Sequence, residues 1–266
     1  AFGSFLNVCI SRLPAGESVV RPPSRCPQCR HEISAIDNIP LLSWLLLRGR
    51  CRACNSRISL RYPAVEVVTA ALFLLCFFTF GFSLIGAGAA VLCFLLVGLA
   101  MMDAETMLLP DAFTVPGIVL GIIYAGMTGW TREPITAPFH LVDSPRTSAV
   151  LMSALTGVAA AAFILLIRWI YWLVRRQEGM GLGDVKLMAL IGAWFGPAET
   201  FLVFFLAVVC GAIYGLVLIA LSRVRRSENR IAAPTKVPFG SFLCVAGLFT
   251  LFFGAQPLGW YFSLFV

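Results

Sequence analysis

Charge is what this sequence has least of: of 266 residues, 12% are charged, 13 are acidic and only two are histidine. So few ionisable groups cannot cover the surface of a water-soluble domain, and they exclude the charge-rich, apolar-poor class of disordered chains. Long polar stretches are also scarce, with one running from Arg12 to Tyr62, and no glycine-rich dinucleotide fingerprint is present. What remains is apolar. Hydrophobic residues make up 59% of the chain and the mean hydropathy is +0.90, which reads as a polytopic membrane protein.

Apolar runs lie at roughly 64 to 82, 84 to 102, 112 to 129, 148 to 174, 185 to 195, 199 to 221 and 237 to 254. No water reaches the bilayer core to satisfy backbone groups, so runs of this length predict helices and an all-α membrane bundle. The run at 185 to 195 is too short to cross alone. It either begins inside the glycine-rich segment before it or tilts into a hairpin with the next run. The opening Ala1 to Ile10 is apolar and reads as the end of a first transmembrane helix, giving about eight spans in the full protein, with a cleaved signal peptide as the alternative. Three parts follow: this helix end at 1–10, a polar loop at 11–62 and a transmembrane bundle at 63–266.

The basic residues set the orientation. Of 20 Lys and Arg, nine lie between 11 and 62, four between Arg168 and Lys186, and five between Arg223 and Lys236, leaving Arg132 and Arg146 near the 130 to 147 connection. Cytoplasmic loops carry the excess of Lys and Arg, so the first three regions are placed inside and the last outside. The net charge of +7 then speaks for topology and anionic lipid rather than for nucleic acid.

The polar loop carries Cys26-Pro-Gln-Cys29 and Cys51-Arg-Ala-Cys54 with 21 residues between the pairs. Two such pairs point to a tetrahedral four-thiolate zinc site. Disulfides would be the other use, but the predicted compartment is reducing. Four protein ligands leave no open coordination position, which makes the zinc structural. His31, near the first pair, reads as a surface residue, and Cys9, Cys76, Cys93, Cys210 and Cys244 read as buried small hydrophobes.

Two aspartates are the candidates for chemistry. Gly179-Met-Gly-Leu-Gly-Asp184 is a shaped loop ending in an acid where an apolar helix begins. Asp184 is either a helix cap or a working acid at the membrane surface. Asp103 falls at the cytoplasmic end of the run before Glu105 and Pro110-Asp111, against the negative end of its helix; Asp111 is read as a cap. Pairing Asp103 with Asp184 gives that placement a reason. Two carboxylates sharing a site cannot easily both ionise and so hold a proton between them. The charged member can take a proton from attacking water while the other donates to the carbonyl oxygen, which is peptide hydrolysis. The helix ends assign the proton to Asp103 and the charge to Asp184. A non-enzymatic reading, a transporter or assembly scaffold with an Asp ion relay and a zinc-stapled loop, calls instead for acids near mid-membrane.

Gly3-Ser-Phe-Leu-Asn-Val8, the two Cys pairs around Asn38-Ile-Pro40 and Ser43-Trp44, Arg61-Tyr-Pro63 with Glu66, Asp103 through Asp111, Gly179 through Lys186 and Pro238-Phe-Gly240 together resemble the type IV prepilin peptidases. This family joins prepilin leader peptidase and N-methyltransferase. The resemblance implies an intramembrane aspartic protease of eight helices with its catalytic pair at Asp103 and Asp184. It implies prepilins or pseudopilins as substrates, cut after a glycine on the cytoplasmic face of the bacterial inner membrane. The new N-terminal residue would then be methylated from S-adenosylmethionine. Gly49, in the zinc loop, is the candidate for the methyl-donor site. Membrane lipids complete the expected partners, and nucleic acid is not among them.

Overall fold

The structure is a computed structural model and describes residues 1–34, 37, 39–129, 145–177, 181–225 and 238–263. Among the described residues ten α-helices occur, in the order α1 Phe2–Arg12, α2 Leu42–Leu46, α3 Arg61–Phe80, α4 Leu84–Thr106, α5 Asp111–Thr128, α6 Pro145–Arg175, α7 Leu182–Phe195, α8 Pro197–Arg225, α9 Phe239–Phe253 and α10 Ala255–Ser263. Every apolar run read from the sequence is a helix. Five of them, α3, α4, α5, α6 and α8, are long and apolar enough to cross a membrane. Among the described residues there is no strand, only two isolated bridges in the polar loop. Asn38, Glu178, Gly179, Met180 and His140 lie outside the described residues.

The chain divides into two compact units, Ala1–Met102 and Asp103–Val266. In the first, α1 runs antiparallel to α3. Gly3 lies against Glu66, whose Cα would stand 2.7 Å from any Cβ added there, so only glycine permits this approach. One turn along α1, Asn7 Nδ2 donates to the Tyr62 carbonyl at 3.0 Å, and one turn further Ser11 Oγ accepts from Arg61 at 3.0 Å. Phe5 stacks on Phe94 of α4, and Cys76 of α3 meets Cys93 of α4 with 3.7 Å between sulfurs. The latter two cysteines are buried and pack as small hydrophobes, as do Cys9 and Cys244, whereas Cys210 of α8, expected to be buried as well, is exposed.

In the second unit α7 is the hub. At about 1.5 Å per residue its 14 residues fall well short of a hydrocarbon core of roughly 30 Å, so it needs protein around it. That is how it is packed, with Val185, Leu187, Met188 and Leu190 through Phe195 all buried. Its neighbours come close through glycine: Gly192 of α7 meets Thr156 and Gly157 of α6, where a Cβ would fall 2.8 Å from the Thr156 carbonyl oxygen. On the α5 side, Trp194 packs over Gly121 and its Nε1 donates to the Gly117 carbonyl at 2.8 Å. Ser153 of α6 adds to the first of these contacts by donating to the Ala193 carbonyl at 2.7 Å. The short run thus begins inside the glycine-rich segment, the first of the two expected solutions. Gly196, at φ +81°, ends α7 and Pro197 starts α8.

Candidate active site and metal centre

The polar loop is built from two copies of one turn. In the first, Arg30 N donates to the Cys26 carbonyl and Cys26 N to the His31 carbonyl, both at 2.9 Å; in the second, Asn55 N and Cys51 N make the same bonds to Cys51 and Ser56. Arg30 and Asn55 take positive φ, +58° and +57°, to close these turns. The four sulfurs lie within 4.8 Å of one another, with Cys26 to Cys54 at 3.9 Å and Cys29 to Cys51 at 4.0 Å. A tetrahedron of zinc–sulfur bonds near 2.3 Å has sulfurs about 3.8 Å apart, so these two pairs match it closely and the whole cluster reaches it by a small contraction. The backbone N–H of Cys29 draws the Cys26 thiol down to about 6, toward the thiolate a metal needs. Ser56 Oγ stands 3.1 Å from Cys54 Sγ, and His31 supplies only its backbone. Arg52 clamps Asp37 with three hydrogen bonds of 2.6 to 3.1 Å and holds its carboxyl below the usual carboxylate range.

Gly49 leads into the second turn at φ +67°, a conformation that favours glycine. It is buried under the Trp44 indole, where a Cβ would sit 2.9 Å from Cζ2. Trp44 lies on α2, whose entry at Leu41 is held by Glu66 Oε2 accepting from Leu41 N at 2.8 Å. Trp44 Nε1 is buried with no hydrogen-bond partner among the described residues. Gly49 and the cysteines belong to the first unit, and both candidate aspartates belong to the second.

Asp103 lies one turn from the end of α4 and is 5% exposed. Its Oδ2 accepts from Ser241 N at 2.6 Å and Ser241 Oγ at 2.9 Å. Ser241 is the third residue of α9, where backbone N–H groups have no partner within the helix. The carboxyl at the negative end of one helix is therefore also at the positive end of another, and the assignment of the proton from helix ends loses its basis at Asp103.

Asp184 is the third residue of α7, not its cap: Gly181 holds that position, and the Asp184 carboxylate turns back toward the Gly181 backbone. This is the acidic half of a capping box. Asp184 stands close enough to Asp103 for their charges to act on each other, and Cys244 of α9, fully buried, senses both. Asp111 does not cap α5; Pro110 does, while Asp111 pairs with Lys186 and clips the start of α5 to the start of α7. Two glycines admit the loop between α4 and α5. A Cβ on Gly183 would fall 3.0 Å from Leu109, and one on Gly240 would fall 3.0 Å from the Asp103 carboxyl and 3.1 Å from Leu109. Sequence reasoning gives Leu109 no role and does not pair Ser241 with Asp103. Ser241 lies in Pro238-Phe-Gly-Ser-Phe-Leu243, a stretch whose proline and glycine suggest a kink or close helix packing, with a binding contribution as the alternative.

The profile of the bacterial peptidase A24 N-terminal domain matches residues 1–80, and that of the type IV leader peptidase family matches residues 89–216. The chain belongs to the type IV leader peptidase family. Curated family members include the prepilin leader peptidase/N-methyltransferase of Aeromonas hydrophila, 35% identical over 99% of this chain and 91% of its own length. That of Stutzerimonas stutzeri is 36% identical over 96% and 88%. That of Myxococcus xanthus is 41% identical over 85% of this chain and 63% of its own length. No solved structure matches.

Proposed function

We propose that this leader peptidase family member removes the leader of type IV prepilins or pseudopilins after a glycine and then methylates the new N-terminal residue. The observation that carries the hydrolytic half is that Asp103 and Asp184, from separate helix ends, stand close enough for their charges to act on each other, with Leu109 packed against the glycines beside both. In the mechanism they support, the pair holds one proton. The charged carboxylate takes a proton from water as it attacks the scissile carbonyl, and the protonated partner donates to the oxygen on which charge develops. The proton passed to the departing amine comes from the first carboxyl. Ser241 fixes Oδ2 of Asp103 and so orients its carboxyl.

Both acids stand within a turn of a helix terminus, where a leader junction at the membrane surface can be reached, rather than deep along their helices as an ion relay requires. Orientation from the basic loops puts this end, with the zinc loop, on the cytoplasmic side of the bacterial inner membrane. A prepilin helix would lie in the lipid beside the bundle.

Zinc on Cys26, Cys29, Cys51 and Cys54 would hold the 11–62 loop folded, with no coordination position left for substrate. Bound S-adenosylmethionine would supply the methyl group. Gly49 is our candidate for that site, and the corner where it packs on Trp44 offers a buried, unpaired indole N–H as a donor to a ligand.

The test uses membranes carrying the protein, incubated with a prepilin and labelled methyl donor. Leader removal, read by mobility, is expected for the native protein and is expected to vanish with Asp103→Asn and with Asp184→Asn, while a pilin already lacking its leader is still methylated. Normal cleavage by either variant removes that residue from the pair.

A further inference from the structure

The loop Met107 to Pro110 between α4 and α5 drops one side chain into the site. Leu109 Cδ1 lies within 3.1 Å of the points where Gly183 and Gly240 would carry a Cβ, so it rests in a notch made by the absence of two side chains. One wall of the notch is the residue immediately before Asp184. The other immediately precedes Ser241 and also lies against the Asp103 carboxyl, whose Cγ is 3.0 Å from the same Gly240 point. Leu109 is thus the apolar neighbour common to both halves of the pair. It is only half-buried, and Met107 and Leu108 before it are 46% and 52% exposed, so the loop that carries it is open to the outside while Leu109 itself stays against the two glycines. Met107 at φ +54° turns the loop, and Pro110 as the cap of α5 ends it, which leaves Leu109 little freedom to withdraw.

We infer that Leu109 sets the size limit on the residue whose carbonyl is attacked. A peptide bond reaching both carboxyls must bring the Cα of that residue down onto the apolar wall beside Asp103. Glycine fits against a leucine methyl there, whereas a substrate Cβ would point into space that Leu109 already fills. The two enzyme glycines do not enlarge the site, because Leu109 takes up the room they leave. This inference rests on the peptidase reading above and adds to it the residue that selects the substrate. Leu109 touches no proton in the reaction; its role is exclusion.

The experiment compares two prepilins, one with glycine and one with alanine before the scissile bond, cut by the native protein, Leu109→Val and Leu109→Ala in membranes. The readout is the ratio of the two cleavage rates, which cancels any change in the amount of folded enzyme. The native ratio is expected to favour glycine strongly. Shortening Leu109 to Ala is expected to raise the relative rate on the alanine substrate about tenfold or more, with Val in between. A ratio unchanged in both variants overturns the inference, as does loss of cleavage of both substrates by Leu109→Val. If the native protein cuts neither prepilin, the peptidase reading itself fails, an outcome separate from an unchanged ratio.

Discussion

The cysteine cluster and the aspartate pair are both small polar sites in an apolar chain, and they are assembled on different scales. In the loop each pair of ligands comes from one turn, Cys26 to Cys29 and Cys51 to Cys54, and the bonds that shape each turn come from residues next to it. The aspartates come from α4 and α7, the donor that orients Asp103 comes from α9, and the side chain beside both comes from the loop before α5. A site of the first kind is broken by losing its metal or its ligands. The second kind is also broken by displacing any helix start that contributes to it, even by one added methyl group.

The largest separation between the two comes from the acids themselves. Asp103→Asn or Asp184→Asn is expected to lower leader cleavage by about 10³-fold or more, while zinc content, measured on the same purified protein by atomic absorption, stays that of the native chain. A fall in both would mean that the two sites are not independent. Next is Gly240→Ala, whose Cβ would meet the Asp103 carboxyl at 3.0 Å. Displacing that carboxyl by a fraction of an ångström to one ångström is expected to cost on the order of 10²-fold in rate, with the fold checked by helical circular dichroism.

Ser241→Ala keeps the backbone donor at 2.6 Å and removes only the hydroxyl donor at 2.9 Å. A drop of about tenfold in cleavage is the expected result for one hydrogen bond to a carboxyl; an unaltered rate would mean that the backbone N–H alone positions Asp103. On the other side of the comparison, Cys29→Ser with Cys54→Ser is expected to abolish bound zinc and open the loop to trypsin between Arg25 and Arg57, with cleavage per folded molecule reduced by less than the Ser241 change. The smallest effect belongs to Lys186→Ala. Its ion pair with Asp111 is 40% and 65% exposed, and exposed pairs contribute roughly 0 to 1 kcal/mol, so cleavage should change by about twofold or less.

The two sites differ in how much of each is legible in the amino-acid sequence alone. The cysteine spacing announces its own geometry, because a turn that presents two sulfurs to one ion is contained in four residues. The helices are legible for a similar reason: a bilayer leaves the backbone no other way to satisfy itself, so apolar length alone predicts α3 through α9. Asp103 and Asp184 stand out as acids where acids are costly. Their surroundings do not. Nothing in Pro238-Phe-Gly240-Ser241 marks the serine as a partner of a residue on α4, and reading Asp103 from its own helix assigns it an unfavourable field because the start of α9 is not in view. Asp111 looks like a cap, since position relative to a helix start can be read locally, whereas its pairing with Lys186 cannot.

Composition, spacing and the length of apolar runs determined the membrane class, the helical architecture, the four-sulfur cluster and the two candidate acids. These depend on the solvent around the chain and on bonds made within a few residues. Tertiary structure decided which helix start supports Asp103, how α7 survives at 14 residues by burying itself among α5, α6, α8 and α9, and that Leu109 fills the space between two glycines. Those outcomes depend on groups distant in sequence sharing a few ångströms, and only packing brings them together.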